Sequence, residues 1–197
     1  MAEGYVTIAH DSYVQWKILT EGHSYDVDGQ YGCQCWDYVS VFWYNVGFPQ
    51  GYPITQPGGD GQAWMCWTVS RETNKQYNGV QIFDLIYNIG DVKKGDIVVL
   101  NGTTSNPAGH IAFADEDYAG SGYLWCIGQN QGGTPLPGGG TAVTRNQLGM
   151  GDFLGAFRYR GWEVTPPVPP VPTNNTASKF KWTLYARNLQ NKRNNML

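Results

Sequence analysis

The chain has 197 residues, enough for one ordinary domain with a tail or for two very small domains. Charged residues make up only 15% and aromatic residues 14%, which excludes a disordered chain and disfavours a helix bundle. No apolar run approaches the roughly 18 residues of a membrane span. The N-terminus lacks the basic and apolar regions of a signal peptide. We therefore expect no membrane insertion and no secretory signal.

The net charge of -3 conceals a difference between the body of the chain and its end. Residues 1–163 carry all 16 acidic residues and 8 of the 13 Lys and Arg residues, whereas residues 164–197 carry 5 basic residues and no acid. An acidic body is a poor binder of nucleic acid, so no nucleic-acid partner is expected. The basic end is expected either to contact an anionic polymer or to be a solvated tail.

A proline-rich segment marks the clearest domain boundary. Five of the ten residues 164–173 are proline, a density typical of an extended spacer without a core. The sequence therefore predicts a folded domain over residues 1–163, a linker over 164–177 and a short basic tail over 178–197. The tail is too short to fold alone.

Helical patterns come first within the body. Cys35–Val46 has apolar residues at helical spacing and is followed by Gly47, where a C-terminal glycine belongs. A second, shorter helix is predicted over Gly61–Thr73. Short runs rich in β-branched and aromatic residues then predict five strands: Asp96–Leu100, Gly109–Asp115, Gly122–Gln129, Ala142–Arg145 and Phe153–Tyr159. Helices before antiparallel strands predict an α+β domain with helices packed against one twisted sheet.

Cys35 is the first candidate for chemistry. If the helix starts there, its thiol lies at a helix N-terminus, where the helix dipole and the free N–H groups favour the thiolate. The side-chain amide of Gln34 can donate a hydrogen bond to an oxyanion. The alternative is a small buried apolar residue, which describes Cys66 and Cys126 well. The C-x-C spacing of Cys33 and Cys35 is too tight for the usual zinc site.

His110 is the second candidate, at the start of a predicted strand. Alternation places His110 on the same face as two alanines, which leaves space for a substrate or a partner side chain. If the following hairpin is centred on Gly120, His110 faces Asn130 on the next strand, and the Asn130 carbonyl can fix the imidazole tautomer. Gly128, diagonal to His110, also leaves room. The alternative is a surface histidine without a catalytic role.

These residues lie in motifs that resemble a known family, the CHAP domain, a cysteine- and histidine-dependent amidohydrolase/peptidase. The segment from Asp26 to Asp37 (DVDGQYGCQCWD) resembles its first motif. The segments GHIA at 109–112 and GQNQGG at 128–133 resemble its second and third motifs, and KGDIVV at 94–99 resembles the strand before the histidine. The resemblance covers residues 13–162, with the motifs in the family order.

The resemblance implies a papain-like α+β fold and a peptidoglycan hydrolase, most simply a phage endolysin that stays in the host cytoplasm until lysis and then acts on the wall. Cys35 is then the nucleophile of a thioester mechanism, His110 the general base and Asn130 the orienting residue. Many relatives carry a glutamate at the position of Gly128. A tail-associated virion lysin and a non-catalytic glycan-binding module are the alternatives. The basic tail would be a truncated wall-binding region that contacts anionic wall polymers.

Three aspartates form a second constellation around Cys35. Asp26, Asp28 and Asp37 occupy relative positions 1, 3 and 12, which are carboxylate positions of an EF-hand loop, and oxygen ligands suit calcium. The resemblance to calcium-binding phage members of the family adds the backbone carbonyls of Gln30 and Gly32 as ligands. The alternative is an acidic turn that caps the helix.

Overall fold

The structure is a computed structural model that describes residues 1–56 and 61–162. The helices of this part are α1 (Tyr13–Thr20), α2 (Cys35–Asn45), α3 (Met65–Thr68) and α4 (Arg71–Asn74). The strands are β1 (Gln76–Tyr77), β2 (Val80–Gln81), β3 (Phe83–Ile86), β4 (Ile97–Leu100), β5 (His110–Ala114), β6 (Tyr123–Gly128), β7 (Thr144–Gly149) and β8 (Phe153–Tyr159). A short 3-10 helix, Ile89–Asp91, precedes β4.

Six of these strands form one antiparallel sheet. Its order is β3-β8-β4-β5-β6-β7, and each neighbouring pair is antiparallel. β1 and β2 form a separate two-stranded hairpin. The predicted α+β class, with N-terminal helices and an antiparallel sheet consistent with a papain-like fold, is confirmed.

Helix α2 packs on the sheet and supplies much of the aromatic core. Its side chains with no exposed surface are Tyr38, Val39, Ser40, Val41, Phe42 and Trp43. The Phe42 ring packs edge-on against Phe113 of β5, with 5.1 Å between ring centroids. Trp43 stacks on Phe83 of β3 at 4.4 Å. Such aromatic pairs add specific geometry to the burial of apolar area, so α2 has a defined position against β5.

The two faces of β5 belong to two different clusters of buried residues. Ile111 and Phe113 face the aromatic core around α2. Ala112 and Ala114 belong to a second cluster on the other face, together with Leu124 and Cys126 of β6. The predicted alternation is therefore confirmed for residues 111–114 of this strand.

The predicted helices agree with the structure in one case only. The helix predicted over Cys35–Val46 is confirmed, with Val46 as its C-cap and Gly47 at φ +102°. The single helix predicted over Gly61–Thr73 is wrong, because the chain forms α3 and α4 there instead. The side chain of Asn74 donates to the carbonyl of Cys66 at 2.9 Å, in place of the backbone bond that would continue α3.

Four predicted strands match β4, β5, β6 and β8 to within a residue at either end. The strand predicted over Ala142–Arg145 is displaced, since β7 begins at Thr144 and continues to Gly149. The backbone of Val143 is bonded instead to the N-terminal region, donating to His23 O at 2.8 Å and accepting from Gly22 N at 2.9 Å. β3 was not predicted.

Helix α1 was not predicted, because its apolar residues do not fall on one face. Trp16 is fully buried, whereas Val14 and Ile18 are more than half exposed. Ser12 caps the helix by accepting a hydrogen bond from the backbone N–H of Gln15.

A buried carboxylate connects α1 to the sheet. Asp115 follows β5, and its side chain is 4% exposed. It accepts hydrogen bonds from Tyr13 Oη at 3.0 Å, Lys17 Nζ at 2.7 Å and Arg145 Nε at 2.5 Å. Burial alone would raise the pKa of Asp115, but these hydrogen bonds outweigh it and hold the pKa below its ordinary value.

We expect Asp115→Ala to lower the free energy of unfolding by about 3 kcal/mol at pH 7, because it removes three partners from a buried network. Asp117→Ala is the control, since its exposed pair with Lys93 at 3.2 Å should contribute no more than about 1 kcal/mol. The folded pKa of Asp115 lies below the unfolded value, so this stability is present above about pH 4 and is lost as the pH falls further. Urea unfolding at pH 7 and pH 3 checks both points. Equal stabilities of the two variants at pH 7 would contradict the role of Asp115.

Some sequence predictions concern residues outside the described part. The predicted linker 164–177 and basic tail 178–197 lie outside it. Among the helices that the structure describes, none has the length and apolar character needed to cross a bilayer.

Candidate active site

The first turn of α2 presents Cys35. Gln34, the N-cap, has extended backbone angles, and α2 begins at Cys35, as the sequence predicted. The first N–H groups of a helix have no intrahelical acceptor and carry the positive end of the helix dipole, which stabilises a thiolate at this position. Asp37 closes the turn by accepting a hydrogen bond from the backbone N–H of Gln34 at 2.7 Å.

The structure brings His110 to this thiol. His110 begins β5 and is 9% exposed, and its ring lies close enough to the Cys35 thiol for each group to shift the pKa of the other. Burial would raise the pKa of Cys35, but the charge and hydrogen bond of His110, together with the Ile111 N–H, outweigh it and lower the pKa below the ordinary thiol value. Burial would lower the pKa of His110, but the nearby Cys35 thiol and the hydrogen bond that the ring donates to Gln131 Oε1 raise it above its ordinary value. The two groups thus favour a thiolate–imidazolium pair.

The other cysteines have the opposite tendency. All four are free and buried. Burial raises the pKa of Cys33, and the nearby Asp26 and Asp37 raise it further. Burial also raises the pKa values of Cys66 and Cys126. Cys35 is therefore the one thiol of the described chain whose surroundings favour the reactive form.

Gln131, and not Asn130, hydrogen-bonds the His110 ring, which corrects the prediction for Asn130. The predicted register holds where the strands pair, with Phe113 opposite Ile127 and Ala114 opposite Cys126. β6 ends at Gly128, however, and Asn130 turns the chain with φ +53°. Gln131 Oε1 consequently lies 3.1 Å from His110 Nε2.

Asn130 contacts Gln34 instead of the histidine. Its Nδ2 donates to Gln34 Oε1 at 2.7 Å, and Gln34 Nε2 donates to the carbonyl of Tyr31 at 2.6 Å. Gln129, buried beside them, donates to the carbonyls of Tyr25 at 2.8 Å and Gln34 at 3.2 Å. Asn130 therefore orients the Gln34 amide, which was predicted as an oxyanion donor. One of the two N–H groups of this amide is already bonded to the Tyr31 carbonyl.

Sequence reasoning missed Gln129 and Gln131 although both lie in the segment GQNQGG. The available signal was three consecutive amide side chains before two glycines. Each amide has a different partner in the structure. Gln129 binds the backbone of the loop before α2, Asn130 binds the side chain of Gln34, and Gln131 binds His110. A strand pattern alone could not show this, because the turn at Asn130 changes the direction of the next side chain.

A cleft of about 800 Å³ opens beside the thiol. Gln34, Cys35 and Trp36 line it together with Tyr31 and Ile54. Asp28 and Asp37 also line it, so the cleft extends from the thiol to the aspartates. Its size falls within the range of pockets that hold small ligands or short polymer segments.

The three predicted aspartates come together. One carboxylate oxygen from each of Asp26, Asp28 and Asp37 lies within 4.8 Å of the others. Asp37 also accepts hydrogen bonds from the N–H groups of Val27 and Gln34, so the helix-capping alternative is part of the structure as well. Burial raises the pKa of Asp37 to about 7, and the neighbouring Asp28 and Asp26 act in the same direction.

This cluster suits a hard cation. Oδ1 of Asp26 is buried and has no hydrogen-bond partner, which is a cost that an ion would remove. The donor atoms are carboxylate oxygens, the ligand type that Ca²⁺ and Mg²⁺ prefer. Gln30 and Gly32, predicted to contribute carbonyls, lie in the same loop, where Gln30 N donates to Asp28 Oδ1 at 2.8 Å and Gly32 has φ +71°. Their role as ligands stays a prediction.

Comparison with known families supplies the identity of this arrangement. The model of the CHAP domain matches residues 24–130, a range that includes the aspartates, Cys35, His110 and Asn130. The chain belongs to the CHAP family. The resemblance carried by its motifs is confirmed.

A curated relative and a solved structure are similar to this CHAP protein. The D-alanyl-L-alanine endopeptidase of Streptococcus phage B30 is 34% identical over 126 residues, which cover 62% of this chain and 25% of the relative. The chain thus spans about a quarter of that relative's length. The crystal structure of the wild-type endolysin LysIME-EF1 superposes with a TM-score of 0.56 at 21% identity, covering 77% of this chain and 64% of that one. This second likeness shows a shared fold.

We expect iodoacetamide at pH 7 to alkylate Cys35 first and with a stoichiometry near one, because the pKa of this thiol alone is lowered. A free thiol, with a pKa of about 8.5, is mostly protonated at that pH and reacts more slowly. Peptide mapping by mass spectrometry identifies the modified residue, and Cys35→Ser is the control. Faster modification of Cys33 would contradict the assignment of the reactive thiol.

Proposed function

We propose that this CHAP domain hydrolyses an amide bond of bacterial peptidoglycan, with Cys35 as nucleophile and His110 as general acid and base. The observation that carries the proposal is the contact between a thiol at the N-terminus of α2 and a buried imidazole, beside an open cleft. Activation of a cysteine by an adjacent base is the usual arrangement for covalent catalysis of acyl transfer.

The reaction follows from the protonation states of the pair. The Cys35 thiolate attacks the amide carbonyl, and the tetrahedral intermediate collapses to a thioester as the imidazolium of His110 protonates the leaving amine. The neutral imidazole then accepts a proton from a water molecule, whose oxygen attacks the thioester carbonyl. Release of the carboxylic acid restores the thiolate and the imidazolium.

Two donors are available for the oxyanion of the tetrahedral intermediate. The backbone N–H of Cys35 lies in the first turn of α2, where it has no intrahelical acceptor. The second N–H bond of Gln34 Nε2 is the other donor, since Asn130 and the Tyr31 carbonyl fix the orientation of this amide. Donors of this kind typically contribute about 3 kcal/mol each to transition-state stabilisation.

The relative from Streptococcus phage B30 is named a D-alanyl-L-alanine endopeptidase. The 34% identity supports a D-alanyl-L-alanine peptide bond as the substrate. The amide between muramic acid and L-alanine is the other bond open to the same chemistry. Both fit a phage endolysin or a tail-associated virion lysin, and in both settings the partner is the cell wall.

A glycan-binding module without catalysis is disfavoured by the state of Cys35. A binding surface gains nothing from a thiol with a lowered pKa held against a histidine. The aromatic residues that suggested such a surface are largely used in the core, where Trp16, Tyr38 and Trp43 are fully buried.

We expect Cys35→Ala to reduce release of wall fragments by at least about 1,000-fold, because the nucleophile is lost. Cys33→Ala, two residues away and outside the helix, should retain most of the activity. Mass spectrometry of digested Gram-positive walls measures both effects and identifies the new termini. New alanine termini in the cross-links indicate an endopeptidase, and free muramic acid carboxyl groups indicate an amidase.

A fully active Cys35→Ala variant would contradict the nucleophile. If the wild type releases no fragment from any wall type while Cys35 remains reactive towards iodoacetamide, the substrate class is wrong and the chemistry of the site stands.

We further propose that Asp26, Asp28 and Asp37 bind Ca²⁺, with the carbonyls of Gln30 and Gly32 completing the set. The buried, unpartnered Oδ1 of Asp26 supports this proposal. The ion would cancel negative charge close to Cys35 and hold the loop before α2, which is a structural contribution. Cys35 and His110 carry out the chemical steps themselves.

Calcium at about 100 times its Kd should stabilise the protein by about 2.7 kcal/mol, which raises Tm by roughly 5–10 °C for a domain of this size. EGTA should reverse the shift, and Mg²⁺ should reproduce it poorly because it requires a tighter octahedral shell. Differential scanning calorimetry measures the shift. Asp28→Ala should abolish the calcium response, while Asp152→Ala, an exposed aspartate outside the cluster, should keep it. An unchanged Tm in EGTA-treated protein on calcium addition would contradict the site.

A further inference from the structure

Gln131 is held in one orientation by the backbone around it. Its side chain is buried, and Nε2 donates to the carbonyls of Cys126 at 3.0 Å and Thr144 at 2.7 Å. Both partners are acceptors, so they require the NH2 group and direct Oε1 away from themselves. Oε1 then lies 3.1 Å from His110 Nε2. The carbonyl of Gln131 accepts in turn from Asn146, which fixes the main chain at this residue.

An amide oxygen can only accept a hydrogen bond, so His110 Nε2 must carry a proton. Nδ1 is then the nitrogen left to take the proton of Cys35. We propose that Gln131 is the positioning residue of this CHAP domain, which keeps His110 in the Nε2-protonated form with its ring plane fixed. This role rests on the proposed chemistry of Cys35 and His110 and deepens it. Gln131 is outside the residues that line the cleft, so it acts through the histidine.

Gly128 provides the space that this arrangement needs. A Cβ atom at position 128 would lie 2.6 Å from Gln131 Oε1 and 3.0 Å from the Cβ of Ala112. The φ angle of Gly128 is not among the positive values of the chain, so its backbone does not require glycine. The requirement is steric, because the Gln131 amide occupies the space that a side chain at position 128 would fill. Gly128 and Gln131 therefore act as a pair: the contact of Gln131 with His110 requires the absence of a side chain at position 128.

Three variants separate positioning from packing. Gln131→Met fills a similar volume but has no acceptor for His110 and no donors for the two carbonyls. Gln131→Glu keeps an oxygen towards Nε2 but loses both donated bonds, so its stability should fall while its orientation of His110 persists. Gln147→Ala removes an exposed glutamine from β7 and is the control.

We expect Gln131→Met to lower kcat for wall hydrolysis by about tenfold to a hundredfold with KM unchanged, the loss typical of a hydrogen bond to a charged group. Gln131→Glu should recover most of kcat despite its lower Tm, and Gln147→Ala should match the wild type. Alkylation of Cys35 by iodoacetamide should slow in Gln131→Met by a similar factor. Equal kcat in wild type and Gln131→Met would overturn the proposal. It would also be overturned if Gln131→Met and Gln131→Glu lost kcat in proportion to their loss of Tm, because the effect would then be one of stability alone.

The tautomer itself is observed by NMR with ¹⁵N-labelled histidine. Wild type and Gln131→Glu should show a one-bond Nε2–H signal from His110, and Gln131→Met should lose it to solvent exchange. Asn130→Ala should keep the signal, because Asn130 contacts Gln34 and not the ring. Loss of the signal in Asn130→Ala with retention in Gln131→Met would assign the role to Asn130.

Gly128→Ala tests the pair without changing Gln131. The new methyl group should displace the amide and lower kcat about as much as Gln131→Ala does, and the double variant should show no further fall. Strictly additive losses would overturn the coupling. If the wild type cleaves no peptidoglycan, the proposed function fails. The nitrogen spectrum and the alkylation rates then still decide the role of Gln131.

Discussion

The structure depends on one contact, between the thiol at the start of α2 and the imidazole at the start of β5. Each group is nearly excluded from solvent, and burial by itself would leave the thiol protonated and the imidazole neutral. Their mutual proximity reverses both tendencies, because the attraction between opposite charges offsets the loss of hydration. The contact exists only because Phe42 and its neighbours fix α2 against β5. The aromatic core is therefore also the scaffold of the candidate active site.

The segment after β6 links the remaining parts of the site. Gln129 binds the loop before α2, Asn130 orients Gln34, and Gln131 contacts His110. The glycine-rich segment that follows packs on the same loop, where Cys33 N donates to Gly139 O at 3.2 Å and a Cβ at Gly140 would overlap the Cys33 carbonyl. One connection after β6 thus contacts the loop before α2, Gln34 beside Cys35, and His110. A substitution that displaces one of these segments is therefore expected to shift the others.

Most of the fold could be predicted from the sequence, and the exceptions have physical causes. α2 and four of the strands carry regular periodicity and glycine boundaries, so they were found to within a residue. α1 has exposed apolar residues that hide its buried face. The sequence of Gly61–Thr73 has the pattern of one helix, but the Asn74 side chain donates to the Cys66 carbonyl, and the chain forms the two short helices α3 and α4. Contacts made by residues far along the chain leave no local pattern.

The sequence by itself determined the candidates for chemistry: a thiol before a helical run, a histidine at a strand start, and three aspartates within twelve residues. It also determined the register of β5 and β6, because a glycine-rich hairpin and alternation leave little freedom. Only the tertiary structure decided which amide contacts His110. That choice follows from the positive φ of Asn130, the space at Gly128 and the carbonyls of Cys126 and Thr144. Three segments must meet before these constraints act together, so no strand pattern contains them.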